Sequence, residues 1–520
     1  MFIKIQKYLL IHQPLLWNLK IVPALVYSII IHAIFLILGY SNGGINFSEN
    51  EDSFSNVAGE GTLMFFCVLV SILSLLLWMV FYFKNNALKS FYPKNNFTLF
   101  KEWLLMLFIS LLLTTFLVSY FYGKEARIRS YYSEAEAKKR CETLAMGSFF
   151  VNGSYAYYQN NEVLETEVTP EVKAAAPMKE SQINDSISFV DSSKIYFEYK
   201  GKRYLNNSLL SKNINDYSFL DSKKDSILKD RVKTWLVKNQ KDSVLNLFKN
   251  YLKIAKEHNL KASIDENKWL ELTYDFPTFE KYKIIGSEER DTYYEDNYNN
   301  NKPKIDTSQQ YITTINNQQF LYNKFYVPEK QLHYNYKKIS DSYQNPDINT
   351  ATFSISLYVA LGISLLLFSF RVTSGKNWLI ALVSLGILNI IIGIITAIFG
   401  SEYVYLSAML LVFLILLIYF LVIIYRKKSK EISGITLNSM LWMLPTFAPI
   451  LFYLILEIAK ETSGYNNALG QSRDVIYPKI TYFQETDILL CLGYLNLVFV
   501  ALIMVVLSIK IKQWRGIAEG

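Results

Sequence analysis

The chain has 520 residues, of which 51% are hydrophobic, 15% aromatic and only 19% charged, and its formal net charge is +8. Soluble globular chains carry about 25% charged residues, so this composition excludes a disordered, a collagen-like and a disulfide-scaffold protein. The apolar residues lie in long runs, which predicts a polytopic α-helical membrane protein.

Residues 1–20 form an amphipathic segment that is too short and too polar to span a bilayer. Apolar residues alternate there with Lys4 and Lys7, and the segment ends near Trp17. We expect a cytoplasmic helix that lies in the membrane interface and is broken at Pro14.

About eight later stretches are long enough to cross a membrane. A span needs about 20 apolar residues, because the hydrocarbon core is about 30 Å thick and a helix rises about 1.5 Å per residue. Three stretches precede a long polar segment and five follow it. They are residues 21–40, 62–83, 103–122, 352–370, 377–399, 403–425, 437–456 and 488–509, and none of them contains Asp, Glu, Lys or Arg. The predicted membrane regions are therefore 21–122 and 352–511.

The charges of the connecting segments predict the orientation. Basic residues are concentrated in the N-terminus, in loop 84–102, in the short loop with Arg371 and Lys376, in loop 426–436 and in the tail, whereas loop 41–61 has four acidic residues and no basic one. By the positive-inside rule, both termini, including the tail 512–520, are cytoplasmic. The net charge of +8 then comes mainly from the cytoplasmic loops, as the membrane topology requires, and no nucleic-acid partner is expected. A composition rich in Asn, Lys, Ile and Tyr is typical of an AT-rich bacterial genome. We therefore expect the membrane to be a bacterial inner membrane.

Residues 123–351 are predicted to form a large extracytoplasmic α+β domain between spans three and four. The expected elements are a helix over 123–146, a hairpin over 193–206 around Lys200-Gly201, helices over 222–239 and 242–258, and a third helix from near Ser263. Residues 285–318 show little periodicity and are predicted to be a surface loop. The many tyrosines of this domain, among them the pairs Tyr131-Tyr132 and Tyr157-Tyr158, either form a recognition surface for a peptide, a glycan or a protein partner or simply pack its half-buried elements.

The sequence offers little for catalysis. Its four histidines and three cysteines show no metal-ligand spacing, and Ser374-Gly375-Lys376 lacks the residues of a phosphate-binding loop. We expect no catalytic, cofactor or metal site and no ATPase activity of the chain itself. A membrane-embedded enzyme is the least favoured class of function.

Five residues within the predicted spans are candidates for a functional role. His32, Asn389 and Asn496 are polar groups at depth, and each either serves a pathway or bonds a neighbouring helix. Pro445 and Pro449 in span seven each remove a backbone donor, so they form either a gate or hinge or merely a shaped packing surface. Gly386 and Gly393, on one face of span five, predict a close helix contact.

The arrangement resembles a permease of an ABC-type transporter. The shared features are the interfacial N-terminal helix, short basic cytoplasmic loops, a large external insertion and the absence of an ATPase. The segments 13–20 (QPLLWNLK) and 370–378 (FRVTSGKNW) are also similar to uncharacterised multi-span membrane proteins of Bacteroidota. The resemblance covers the membrane portion and implies a cytoplasmic ATP-binding partner.

These observations predict a permease-like membrane subunit of a bacterial inner-membrane transporter. Its partners would be the lipid bilayer, a separate cytoplasmic ATPase and a periplasmic or envelope protein. No carboxylate lies inside a predicted span, so ion coupling is not expected and the energy for transport comes from elsewhere. The alternative is a membrane-anchored assembly or sensing protein whose external domain binds a partner.

Overall fold

The computed structural model describes residues 2–49, 54–84, 95–151, 196–199, 202–205, 217–275, 285–293, 310–315, 318–346, 350–399, 402–426, 431–463, 478–484 and 486–513. The chain forms two compact units. Unit 1 comprises Met1–Ser41, Gly59–Lys124 and Asp347–Gly520, and unit 2 comprises Asn42–Ala58 and Glu125–Pro346.

Unit 1 is built from helices. They are α1 (Phe2–His12), α2 (Pro14–Asn18), α3 (Ile21–Asn42), α4 (Phe54–Lys84), α5 (Thr98–Thr114), α6 (Phe116–Arg129), α12 (Thr350–Val372), α13 (Gly375–Phe399), α14 (Glu402–Arg426), α15 (Glu431–Ser463), α16 (Pro478–Gln484) and α17 (Thr486–Gln513). The amphipathic segment breaks between His12 and Pro14, where proline at the first helical position leaves no buried donor unpaired. Most of loop 84–102 lies outside the described residues.

Seven of these helices are long and apolar enough to cross a membrane. They contain Ile21–Asn42, Gly61–Lys84, Phe353–Val372, Gly375–Ile398, Val404–Ile423, Ile432–Ser463 and Ile488–Lys512. These positions confirm seven of the predicted stretches and the class of polytopic helical membrane protein. The predicted span 103–122 is not one straight helix, because α5 and α6 meet at an angle of 48°.

The bend at Thr115 has two causes, one within α5 and one on α3. The hydroxyls of Thr114 and Thr115 donate to carbonyl groups of the preceding turn, at Ser110 and Leu111. Such bonds compete with the regular backbone pattern and bend helices. The Leu112 carbonyl, which would pair with Phe116 in an unbroken helix, instead accepts from side chains of α3. The sequence interpretation missed this break because Thr114-Thr115 is apolar enough to continue the hydrophobic run.

Two glycines bring α3 and α6 into backbone contact. A Cβ atom on Gly39 would lie 1.9 Å from the Tyr120 carbonyl oxygen, and one on Gly123 would lie 2.1 Å from the Leu36 carbonyl oxygen. The prediction of a close contact at Gly386 and Gly393 is wrong for the described part of the chain, where no atom of another helix lies within 4 Å of a Cβ built at either position. Spacing alone did not distinguish a glycine face packed on a helix from an open one.

Unit 2 contains helices and short strands. They are α7 (Glu134–Ser148), β1 (Tyr196–Tyr199), β2 (Lys202–Leu205), α8 (Ser222–Val237), α9 (Lys241–Glu257), α10 (Glu266–Asp275), β3 (Ile285–Gly286), β4 (Arg290–Tyr293), β5 (Gln310–Ile315), β6 (Gln318–Asn323), β7 (Phe325–Tyr326) and α11 (Glu329–Gln344). The predicted hairpin is confirmed, with β1 and β2 antiparallel and Tyr199 opposite Lys202. The three helices over 222–275 are confirmed as α8, α9 and α10.

Two expectations for unit 2 are wrong. The helix predicted over 123–146 is interrupted, because α6 ends at Arg129 and α7 begins at Glu134, capped by the Ser133 hydroxyl. The predicted surface loop 285–318 contains strands, and β4, β6 and β5 form an antiparallel sheet in that order. Most partners of these strands lie in residues 318–323, so the pairing that stabilises them is not visible within 285–318 itself.

The core of unit 2 packs α7, α9, α10 and α11 around fully buried aromatic rings. Trp269 stacks on Phe248 with the ring centroids 4.2 Å apart, and Tyr251 meets Trp269 edge-on. Phe47, from the connection between α3 and α4, belongs to the same buried cluster. Unit 2 therefore has a hydrophobic core of its own, assembled from two separate parts of the chain.

Candidate functional site within the membrane spans

A cavity of about 660 Å³ lies among three helices of unit 1, α12, α15 and α17. Its wall is almost entirely apolar and includes Tyr358, Pro445, Pro449, Phe452, Gly493 and Asn496. Three of the five residues singled out in the sequence, Pro445, Pro449 and Asn496, are thus brought together in one place. The volume falls in the range of about 300–1,000 Å³ that is typical of small-molecule sites.

The amide of Asn496 donates to a backbone carbonyl of α15 that proline leaves without its usual hydrogen bond. In a regular helix the Pro445 carbonyl would accept a hydrogen bond from the residue four positions later, but Pro449 has no N–H. The Asn496 side-chain Nδ2 donates to this carbonyl at 2.8 Å and also to the Tyr358 hydroxyl at 2.9 Å. The Tyr358 hydroxyl in turn donates to the Gly493 carbonyl at 2.9 Å. One polar chain therefore connects all three helices at the cavity.

Helix α15 is continuous from Glu431 to Ser463 and is not interrupted at either proline. Because Pro445 has no N–H, the Leu441 carbonyl lacks its usual backbone hydrogen bond. The Pro445 carbonyl lacks its own for the same reason, because Pro449 has no N–H either. Two turns of α15 thus lack their usual backbone bonds while keeping the helical path. These turns form the side of the cavity that α15 contributes.

The other two polar candidates lie elsewhere and are hydrogen-bonded within the bundle. His32 on α3 holds the bend between α5 and α6, with Nε2 donating to the Leu112 carbonyl at 3.0 Å and Nδ1 lying 2.6 Å from the Ser119 hydroxyl. A carbonyl only accepts, so Nε2 carries the proton and Nδ1 accepts from Ser119 in the neutral ring. Asn389 on α13 donates to the Leu385 carbonyl and accepts from the Tyr405 hydroxyl of α14.

Sequence reasoning missed a buried ion pair between α5 and α12. The Arg371 Nε lies 2.8 Å from Glu102 Oε1, and the two side chains are only 7% and 1% exposed. Both residues sit just beyond the ends of the predicted spans and were assigned to cytoplasmic loops. The predicted stretches themselves contain no charged residue, but the charges just beyond the ends of two of them are buried and paired. The sequence contained a signal for this pair, since Glu102 and Arg371 carry opposite charges next to the ends of two predicted spans. Opposite charges placed in this way neutralise each other when they are buried together.

Hydrogen-bonding side chains surround the same end of α12. The Thr373 hydroxyl lies 3.1 Å from Asn438 Oδ1 of α15, and the Trp442 indole donates to Ser369 at 2.8 Å. Together with Glu102 and Arg371 they join α5, α12 and α15. This end of the bundle is held by polar contacts, whereas the cavity end is nearly apolar.

Unit 2 has a polar cluster of its own. Arg140 donates to Glu257 at 2.6 Å and to the Tyr336 hydroxyl at 3.1 Å, and that hydroxyl lies 2.9 Å from His258 Nε2. Burial and then the Arg140 charge lower the pKa of His258 to about 4, although Glu257 opposes them. Phe47 stacks on the imidazole with the ring centroids 3.5 Å apart. A neutral, stacked and hydrogen-bonded His258 is a packing element of this unit.

The tyrosine pair Tyr131-Tyr132 also packs within unit 2. The Tyr131 hydroxyl accepts from the Ile45 backbone N–H, and Tyr132 stacks on Tyr336 with the ring centroids 6.0 Å apart. For this pair the contacts favour the packing interpretation over a recognition surface. The pair Tyr157-Tyr158 lies outside the described residues.

Among the described residues, no group of three or more His, Cys, Asp and Glu side chains is placed to hold a metal ion. Cys67, Cys141 and Cys491 are free thiols. No family model, no curated protein and no solved structure matches the sequence. The functional argument therefore rests on the geometry of the spans.

Proposed function

We propose that this protein is the permease-like membrane subunit of a bacterial inner-membrane transporter and works with a separate cytoplasmic ATPase. The observation that carries the proposal is the cavity among α12, α15 and α17. It lies within membrane-crossing helices, has the volume of a small-molecule site and is bounded by the two turns of α15 that lack backbone bonds. In this proposal Pro445 and Pro449 let α15 bend as the cavity opens.

Chain connectivity supports eight spans and an external unit 2. Residues 42–58 and 125–346 belong to the same compact unit, so the chain leaves the membrane on the same side after α3 and after α6. Helix α4 crosses once between these two points. In this proposal the bent pair α5–α6 completes the return crossing as one span. Five further spans, α12 to α15 and α17, place the two termini on the same side, the side that the basic loops mark as cytoplasmic.

The ion pair is also consistent with an external energy source. Ion-coupled carriers hold a carboxylate near the middle of the membrane, where it titrates or coordinates the coupling ion. Glu102 lies about 6 Å from the first residue of α5 and Arg371 is next to the last residue of α12, so the pair sits at helix ends. Its mutual neutralisation suits a fixed structural contact.

The deciding experiment is purification of the tagged full-length protein in mild detergent, followed by mass spectrometry and an ATPase assay. We expect a stoichiometric nucleotide-binding subunit and ATP hydrolysis that vanadate inhibits. An Asn496→Leu variant should keep the subunit while altering the turnover, and Asn389→Leu is the matched control because its amide lies away from the cavity. Recovery of the protein without any nucleotide-binding subunit would overturn the proposal.

One observation favours a second function, a membrane-anchored assembly or sensing protein. Unit 2 has its own aromatic core and comprises a large share of the chain, as a partner-binding domain would require. In that case the same purification would yield envelope proteins in place of an ATPase.

A further inference from the structure

The two helices α8 and α9 carry an excess of positive charge that the rest of unit 2 does not share. Unit 2 has 33 basic and 34 acidic residues in all. Residues 221–257, which comprise both helices, have ten basic residues and only five acidic ones. A short turn at residues 238–240 joins the helices, and they contact each other. The positive charge of this nearly neutral unit is therefore concentrated in one place.

The outward face of α9 is a stripe of three lysines. Val244 and Tyr251 belong to the buried side of the helix. Lys249, Lys253 and Lys256 are all exposed, and their spacing of three and four residues aligns them on the opposite side. Like charges at this spacing destabilise a helix, and among the described residues none of the three ammonium groups has an ion-pair partner. The stripe is thus available to an anionic partner.

The outward face of α8 combines basic residues with an apolar one. Ile227 is 58% exposed, and no other large apolar side chain in the described part of unit 2 is as exposed. Lys223 and Arg231 lie one turn before and one turn after it, and both are exposed and without an ion-pair partner within the described ranges. The exposed Asp230 adds one negative charge on this side, so the surroundings of Ile227 remain net positive.

This combination fits the surface of a bilayer better than it fits an acidic polymer. Anionic headgroups attract the basic side chains, and an exposed apolar side chain gains free energy by entering the boundary between headgroups and acyl chains. An acidic polymer would pair with the lysines and leave Ile227 in water. The chain also passes between unit 2 and the membrane-spanning unit four times. Such tethering raises the local concentration of lipid, so a modest attraction per residue is sufficient.

We propose that the outward faces of α8 and α9 bind a bilayer surface that contains anionic phospholipid. Ile227 enters the headgroup boundary, while the basic side chains of both helices pair with lipid phosphates. This contact requires neither an ATPase nor a transport substrate, and it is measured without them.

The test is the binding of the full-length protein to lipid vesicles. The protein is reconstituted in nanodiscs of phosphatidylcholine, so that anionic lipid is present only in the added vesicles. These contain either phosphatidylcholine alone or phosphatidylcholine mixed with phosphatidylglycerol, and the bound protein sediments with them. We expect binding to be at least about tenfold stronger with phosphatidylglycerol and to weaken as the ionic strength rises.

Removal of charge from α9 provides the matched comparison. Lys249→Gln/Lys253→Gln removes two lysines of the stripe, and Lys139→Gln/Lys324→Gln removes two exposed lysines of unit 2 that lie on other elements. The first variant should bind about 25-fold more weakly, which is about fivefold for each charge of about 1 kcal/mol, and the second should bind like the unchanged protein. Ile227→Ser should weaken binding about fivefold because its apolar surface no longer enters the bilayer.

The cytoplasmic loops are identical in all these variants, so the difference between the two double variants reports the α9 stripe alone. Every substituted side chain is exposed, and an unchanged melting temperature shows that a loss of binding is not a loss of folding. Equal binding to the two kinds of vesicle, or equal losses in the two double variants, would overturn the proposal. Binding to dextran sulfate as strong as that to the anionic vesicles, together with no effect of Ile227→Ser, would replace the lipid surface by an acidic polymer.

Discussion

The buried ion pair between Glu102 and Arg371 gives the sharpest test of how the bundle is held together. Replacing Arg371 with Met leaves a carboxylate that is 1% exposed, and no described residue donates to its Oε2 atom. An uncompensated buried charge costs about 3–5 kcal/mol. Replacing Glu102 with Leu should also destabilise the protein, because the buried guanidinium then loses its carboxylate partner.

The double variant Glu102→Leu/Arg371→Met should be much less destabilised than the sum of the two single variants. The hydrophobic replacements fit the surrounding cluster, in which Tyr82 and Trp103 are buried, and no charge is left without a partner. We expect a coupling free energy of about 2 kcal/mol or more in the double-mutant cycle. Lys376→Met is the matched control, since it removes an exposed basic residue nearby and should cost less than about 1 kcal/mol.

The assay is unfolding of the full-length protein in mixed micelles with increasing SDS, followed by tryptophan fluorescence. It reports the change in the free energy of unfolding for each variant. The reasoning would be refuted by a single-variant loss below about 1 kcal/mol, or by costs that simply add in the double variant. Either result would mean that the pair is hydrated or that each partner is satisfied by other groups.

Three further predictions use the same preparation. Gly39→Ala should destabilise the protein by about 1–3 kcal/mol because its Cβ meets a carbonyl oxygen at 1.9 Å, whereas Gly386→Ala should be neutral or stabilising; equal midpoints in SDS titration would contradict the contact. His32→Leu should cost about 1 kcal/mol because the bend loses a donor to Leu112, and an unchanged unfolding midpoint would argue against this. The pKa of His258 is lowered to about 4, so the folded state disfavours the protonated ring and its contribution to stability is lost as pH falls from about 6.5 towards 4. Since the ring is only partly buried, solvent screening reduces this loss to about 1–2 kcal/mol. The melting temperature should therefore fall with pH in this range in the unchanged protein and should depend less on pH in the His258→Gln variant.

The spans were predictable because one physical requirement dominates them. Seven of the eight predicted stretches coincide with apolar helices, since a hydrocarbon environment forces about 20 apolar residues into a helix whatever they contact. The bend at Thr115 was not predictable from hydropathy. It depends on Leu112 finding a donor on α3, which is a tertiary contact between distant residues.

The candidate site was predictable in part, for a similar reason. Proline within a span and an amide at depth are conspicuous in any sequence, so Pro445, Pro449 and Asn496 could be singled out individually. Their meeting depends on the packing of α15 against α17, which the sequence does not show. Tyr358 was missed because a single tyrosine in a span is ordinary, and only its bonds to Gly493 and Asn496 give it a place in the site.

The loop around Phe47 has a practical consequence for dissecting the protein. Phe47 lies within the buried cluster of unit 2, stacked on His258, and the Ile45 backbone donates to Tyr131. A soluble fragment cut from residues 125–346 alone would therefore expose an aromatic slot and lose a ring contact. A stable excised domain requires the 42–49 segment to be joined covalently to that fragment, for example as an N-terminal fusion through a flexible linker. The intervening residues 59–124, which belong to unit 1, can be removed, but the short loop before α4 belongs to the domain as much as any of its helices.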